Sequence, residues 1–287
     1  MSQFLRVGAP GKEKTAVLAA DKSLRDLSRH IPDFAGEYLA PATLAALSAL
    51  DALKLPLLDP ASRIGACVAG TSNFIAIGLN YFDHAREVGL QPPVEPILFN
   101  KAPSCIVGAQ DNLLLPLGSE SMDWEVELAV IINGDCSEVS KDQAPGFIAG
   151  YCICHDVSER KSQIERGGQW VKGKSYKTFG PLGPWLVTPQ SVPDIGQARL
   201  WLDVNDERMQ DGNTNQMIFP VADIVSYVSQ FMLLRAGDVI TTGTPKGVGL
   251  SRKPPRYLKA GDRVRLGIDG LGIQEQRVIA HGSAAAT

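Results

Sequence analysis

Two glutamates, Glu125 and Glu127, stand one residue apart in Trp124-Glu-Val-Glu-Leu-Ala-Val-Ile-Ile132, a run that otherwise has the composition of a buried strand. Residues i and i+2 of a strand share a face, so the two carboxylates lie side by side above Ala129 and Ile131. Trp124, Val126, Leu128, Val130 and Ile132 line the opposite face. A strand apolar on both faces is buried, and unpaired carboxylates there cost several kcal/mol or lose their charge. A divalent cation removes the conflict; a wet, frayed strand start would avoid it. The next strand-like run, Ala149–His155, ends at Asp156, before a polar stretch with helical potential. Strand ends of this kind carry functional side chains, although Asp there is also an ordinary N-cap. Three carboxylates without a converging His or Cys cluster favour a hard ion, Mg²⁺ or Mn²⁺.

The elements that must position these groups follow from the rest of the chain. Its 287 residues, 44% hydrophobic with a formal net charge of −3, suffice for one large core and a small extra domain. The amino terminus lacks a signal-peptide pattern and no apolar run reaches spanning length, so a cytoplasmic protein without a membrane role is expected. Basic and acidic residues are interleaved, which gives no footprint for nucleic acid. Cys67, Cys105, Cys136, Cys152 and Cys154 fall mostly in apolar runs, and Cys152-Ile-Cys154 has the wrong spacing for a CxxC motif; they read as reduced packing residues.

Residues 1–70 read as a small N-terminal α+β domain, with short strands at 4–7 and 15–18 and a helix from Pro41. The catalytic part, 71–287, is dominated by strand signals at 74–78, 97–100, 124–132, 149–155, 199–204, 238–242, 263–268 and 271–280. One strong helix starts at Pro220, with Val221, Ile224, Val225, Val228 and Phe231 on its apolar face. Asn205-Asp206 and Asp269-Gly270 read as hairpin turns. The fold class is α+β, predominantly β, as a mixed roll or barrel. Gly168-Gln-Trp-Val-Lys-Gly-Lys-Ser175 matches the phosphate-loop pattern, but it follows a helix-like stretch and runs toward Pro181 and Pro184 rather than into a helix. Nucleotide binding is set aside.

Several ordered motifs between about 73 and 281 resemble the fumarylacetoacetate hydrolase family of metal-dependent enzymes acting on 2-oxo acids. They are Gly78-Leu-Asn-Tyr-Phe-Asp-His84-Ala-Arg-Glu87, Asp123-Trp-Glu-Val-Glu-Leu-Ala129, the segment from Gly150 through His155-Asp156-Val-Ser-Glu-Arg160 to Gln163, Gly173-Lys-Ser175 with Phe179–Pro184, and Thr242–Gly249. The resemblance implies a magnesium-type ion on Glu125, Glu127 and Asp156, a His84–Glu87 pair that activates water, and Lys174 beside the metal. It also implies a lid over residues 80–90 and usually a homodimer. His84 and Glu87 are three apart and share a helical face, so the carboxylate can orient the imidazole as general base; the plain alternative is an exposed charge pair. A Lys174 cation would stabilise an enolate, or it could be a solvated lysine. By resemblance Thr244 helps hold the substrate carboxylate, and Lys101, Arg160 and Gln163 are weaker candidates for the same pocket.

Departures from the family pattern fall at His155, Lys161 and Lys177, and Ile77 stands near where larger members place a fourth acidic ligand. The segment Asp156–Gln163 with Lys174–Lys177 looks most like members that hydrolyse 2,4-diketo-3-deoxy-L-rhamnonate or fuconate. The expected reaction is therefore hydrolysis of the C3–C4 bond of a 2,4-diketo acid to pyruvate and a carboxylic acid, L-lactate for the rhamnonate compound, in sugar acid catabolism. Oxaloacetate decarboxylation and hydration or isomerisation of an unsaturated 2-oxo acid are rivals, as is a non-catalytic ligand-binding protein on the same scaffold.

Overall fold

The apolar run that carries the glutamates forms the strand Val126–Ile132, buried at every position. In the computed structural model, which describes residues 2–192 and 194–283, it lies inside a ten-stranded sheet. It pairs antiparallel with Ile148–His155 on one side and with Val239–Thr241 on the other. Beyond Val239–Thr241 come Phe74–Gly78, in parallel, and then Ile97–Lys101. Beyond Ile148–His155 come Gly180–Val187 and three N-terminal strands, Gln3–Val7, Lys14–Leu18 and Leu24–Asp26. A second sheet joins Glu207–Asn213, Arg199–Val204, Arg263–Ile268, Gly272–Ile279 and Leu113–Leu114.

Strand content far exceeds helix content, so the class is sheet-rich α+β. Closure is another matter: the larger sheet runs as an open path from Leu24–Asp26 to Ile97–Lys101, and no closed barrel is found among the described residues. One apolar cluster, from Phe4 and Phe34 through Trp124 and Leu128 to Leu266 and Val278, fills the interior.

The hairpin turns fall where expected, at Asn205-Asp206, both with positive φ, and at 269–271, between Arg263–Ile268 and Gly272–Ile279. Besides several strands of two or three residues, two long strands escape the sequence reading. Gly180–Val187 carries two prolines, tolerated beside the register shift in its pairing with Ile148–His155. Glu207–Asn213 is polar and buries chiefly Met209 and Gln210. The helix after Pro220, Val221–Ser229, buries Ile224, Val225 and Val228. Phe231 corrects the expected face: the helix ends before it, and it is 61% exposed.

Candidate functional site

The sheet register builds the acidic cluster. Cys154 is opposite Glu127 and His155 opposite Val126; one step further, the Asp156 N–H donates to the Glu125 carbonyl at 3.0 Å. A strand end and a strand start on neighbouring strands thus deliver Glu125, Glu127 and Asp156 to one place, each with a ligand oxygen within 4.8 Å of the others. Asp156 is no helix cap: the helix Arg160–Ile164 starts four residues later, with Glu159 accepting from the Ser162 N–H.

Buried cations hold two of the three carboxylates. Lys174 Nζ lies 2.6 Å from Glu125 Oε2 and 2.7 Å from Asp156 Oδ2. Lys101 Nζ lies 2.7 Å from Asp156 Oδ1 and also donates to the Lys174 carbonyl. Arg160 reaches Glu125 Oε1 at 2.7 Å, Asp123 Oδ2 at 2.8 Å and Gln163 Oε1 at 3.0 Å. Burial works against charge on Glu125, but the Lys174 and Arg160 cations overcome it and hold the carboxyl well below the usual range. Glu127 accepts the Gly243 N–H, at 3.0 Å, and forms no ion pair among the described residues. Burial first, then the neighbouring Asp156 and Glu125, push its carboxyl well above the ordinary value.

Close packing presents these side chains. Lys174 ends the short helix Val171–Lys174, and a Cβ on Gly173 would lie 2.5 Å from the Glu159 carbonyl, so only glycine lets that helix sit against 159–163. Val171–Lys174 follows the helix Arg160–Ile164 rather than a strand, unlike a phosphate loop.

His84 and Glu87 share the helix Phe82–Glu87, with Nδ1 3.1 Å from Oε2. Glu87 also accepts the Gly247 N–H at 3.0 Å. Burial raises its carboxyl, but His84, Gly247 and Ser251 together bring it below its ordinary value. A cavity of about 1190 Å³ opens beside it, lined also by Arg252, Lys253 and Tyr257.

The segment 243–250 connects the two groups: Gly243 holds Glu127, Gly247 holds Glu87, and the N–H groups of Gly249 and Leu250 hold Asp123 at 2.7 and 2.9 Å. Thr244 is committed inside this strap, its hydroxyl donating to the Val126 carbonyl and accepting from Gln210 Nε2. Asp123 and Gln210 carry no role in the sequence reading. Asp123 continues the i, i+2 alternation of Glu125 and Glu127, and that spacing could have flagged it. Gln210 comes from a polar strand distant in sequence and leaves no signal.

Residues 73–279 match the model of the fumarylacetoacetate (FAA) hydrolase C-terminal family. The chain belongs to the fumarylacetoacetate hydrolase family. A Burkholderia multivorans protein that carries only a provisional name of hydrolase is 55% identical over 96% of this chain and 98% of its own length. Among solved structures, the fumarylacetoacetate hydrolase of Exiguobacterium antarcticum superimposes with a TM-score of 0.84 at 32% identity, covering 98% of this chain and 100% of that one. A 2-hydroxyhepta-2,4-diene-1,7-dioate isomerase from Mycobacterium marinum gives 0.78 at 29% identity over 98% and 100%. Family membership and these names support a hydrolase and place it in a group that also holds isomerases.

The donor set fits a divalent ion. Four buried carboxylates, counting Asp123, meet three buried cations, and the excess negative charge falls on Glu127, which has no cationic partner among the described residues. All-oxygen ligation from carboxylates suits Mg²⁺ or Mn²⁺. No helix among the described residues is long and apolar enough to cross a membrane.

Proposed function

We propose that this protein hydrolyses the C3–C4 bond of a 2,4-diketo acid to pyruvate and a carboxylic acid, with 2,4-diketo-3-deoxy-L-rhamnonate as the best candidate substrate and L-lactate as its second product. The observation that carries the reading is the buried triad with Lys174 bridging two of its members, near enough to oppose an enolate's charge. Glu125, Glu127 and Asp156 would hold Mg²⁺ or Mn²⁺. When bound, the ion supplies Lewis-acid polarisation of the 2-oxo group and a template for the 1-carboxylate.

The chain's own residues carry the remaining steps. His84, oriented through Nδ1 by Glu87, takes a proton from water at Nε2 as the water oxygen bonds to C4. The C3–C4 bond breaks, its electron pair passing into the pyruvate enolate opposite the Lys174 ammonium, and the proton on His84 returns to C3. Hydroxide thus ends on the carboxylic acid and a proton on pyruvate. Lys101, Arg160 and Thr244 act by fixing the carboxylates and the strap, where their polar atoms are engaged, and Gln163 acts by holding Arg160 through its Oε1. We take the protein to work as a cytoplasmic homodimer in sugar acid catabolism; light scattering of the purified chain tests the assembly.

Pyruvate release, coupled to lactate dehydrogenase, from acylpyruvates and 2,4-diketo-3-deoxy sugar acids tests the reaction. Release that is strongest on the deoxyrhamnonate compound and abolished by EDTA supports it, whereas release from oxaloacetate alone replaces hydrolysis with decarboxylation. The likeness to the Mycobacterium marinum isomerase favours a second reading, double-bond migration in an unsaturated 2-oxo acid. That reading requires turnover without pyruvate release.

A further inference from the structure

Tyr81 is fully buried, yet its hydroxyl reaches no hydrogen-bond partner among the described residues. Buried tyrosine hydroxyls ordinarily find one. The residue is also held firmly. Its carbonyl accepts the Ala85 N–H, and the chain at Tyr81 bridges to Met217. One residue earlier, the Asn80 side chain donates to the carbonyls of Thr242, at 2.8 Å, and Phe219, at 3.1 Å, and accepts the Phe219 N–H at 2.8 Å. The residue after Thr242 is Gly243, whose N–H holds Glu127, and a Cβ there would lie 2.8 Å from the Asn80 Cβ. Asn80 therefore locks the root of Tyr81 against the backbone that fixes a triad carboxylate.

The phenol feels that carboxylate. Burial first, then Glu127 and Asp83, push it well above its ordinary value, so it stays protonated and can only donate to an acidic neighbourhood. Asp83 Oδ1 is likewise buried and unpartnered, so the two do not bond each other. Tyr81 immediately precedes the helix that carries His84 and follows Asn80, whose side chain is tied to the backbone beside Gly243, the donor to Glu127.

We propose that the Tyr81 hydroxyl donates a hydrogen bond to the 2-oxo oxygen of the bound 2-oxo acid, adding a neutral donor to the Lys174 cation where negative charge develops. This rests on the 2-oxo acid reading above. Without ligand the hydroxyl holds nothing, so its loss should not weaken the fold.

Tyr81→Phe removes only the donor. Calorimetry with Mn²⁺ alone, then with oxalate added as a planar analogue of the pyruvate enolate, gives a readout independent of turnover. The expected result is oxalate binding weakened about 10-fold or more, Mn²⁺ binding changed less than about twofold, and a melting temperature no lower than wild type. On any substrate that is turned over, kcat falls and KM changes little. Oxalate binding equal to wild type overturns the role of Tyr81 alone, as does a variant that loses Mn²⁺ affinity or unfolds, since that makes the hydroxyl structural. Wild-type protein that binds Mn²⁺ but not oxalate overturns the 2-oxo acid reading and this proposal with it.

Discussion

Glu125 and Glu87 are both glutamates hydrogen-bonded to a basic side chain and both held below the ordinary carboxyl value, but they live in different surroundings. Glu125 is 7% exposed and grips two buried cations. Glu87 is 23% exposed and meets the His84 imidazole, the Gly247 N–H and the Ser251 side chain at the cavity edge. In the core the charges of Glu125, Asp156 and Asp123 are each paired with a buried cation, so removing one member strands its partner in low dielectric. At the edge, solvent can replace whatever is lost. Fold and chemistry are therefore coupled at the triad and separable at the His84–Glu87 pair.

The largest test of that contrast is Arg160→Leu, which leaves Asp123 and Glu125 buried without their shared cation. It should cost about 3–5 kcal/mol of stability, read by urea unfolding; a cost near that of a surface substitution would remove the distinction. Lys174→Met comes next. Lys101 still serves Asp156, so the fold suffers less, while kcat should fall by about 10²–10³-fold.

His84→Ala probes the other side of the contrast. Water-dependent hydrolysis should drop by about 10²-fold or more with stability changed by no more than about 0.5 kcal/mol, measured on one preparation. The smallest effect belongs to Glu87→Gln. The folded carboxyl titrates below its ordinary value of 4.5, so ionised Glu87 contributes stability that is present above that value and lost as pH falls through the lower folded one. The stability gap between wild type and variant should close in acid; a gap that widens there would contradict the assigned direction.

The triad is legible in the sequence because one strand in an apolar run carries two of its members, which alternation points to, and the end of the neighbouring strand carries the third, which its strand-end position points to. The strands Phe74–Gly78, Arg199–Val204 and Arg263–Ile268 are legible for the same reason, being short apolar or alternating runs with clear edges. Glu207–Asn213 is not, because its burial is supplied by tertiary packing of Gln210 rather than by its own pattern. Arg160 enters the sequence reading only through the family resemblance, as a pocket candidate, because its placement between Asp123 and Glu125 depends on contacts 35–37 residues apart. Tyr81 lies inside a recognisable motif, but only the fold reveals that its hydroxyl is buried without a partner.

The most direct test of the division between core and edge is pyruvate release from a 2,4-diketo acid by wild type and His84→Ala, each with Mg²⁺ and with EDTA. The account predicts release by wild type with Mg²⁺, none with EDTA, and about 10²-fold less from the variant despite an unchanged fold. Equal release from wild type and variant, or release that survives EDTA, would contradict it.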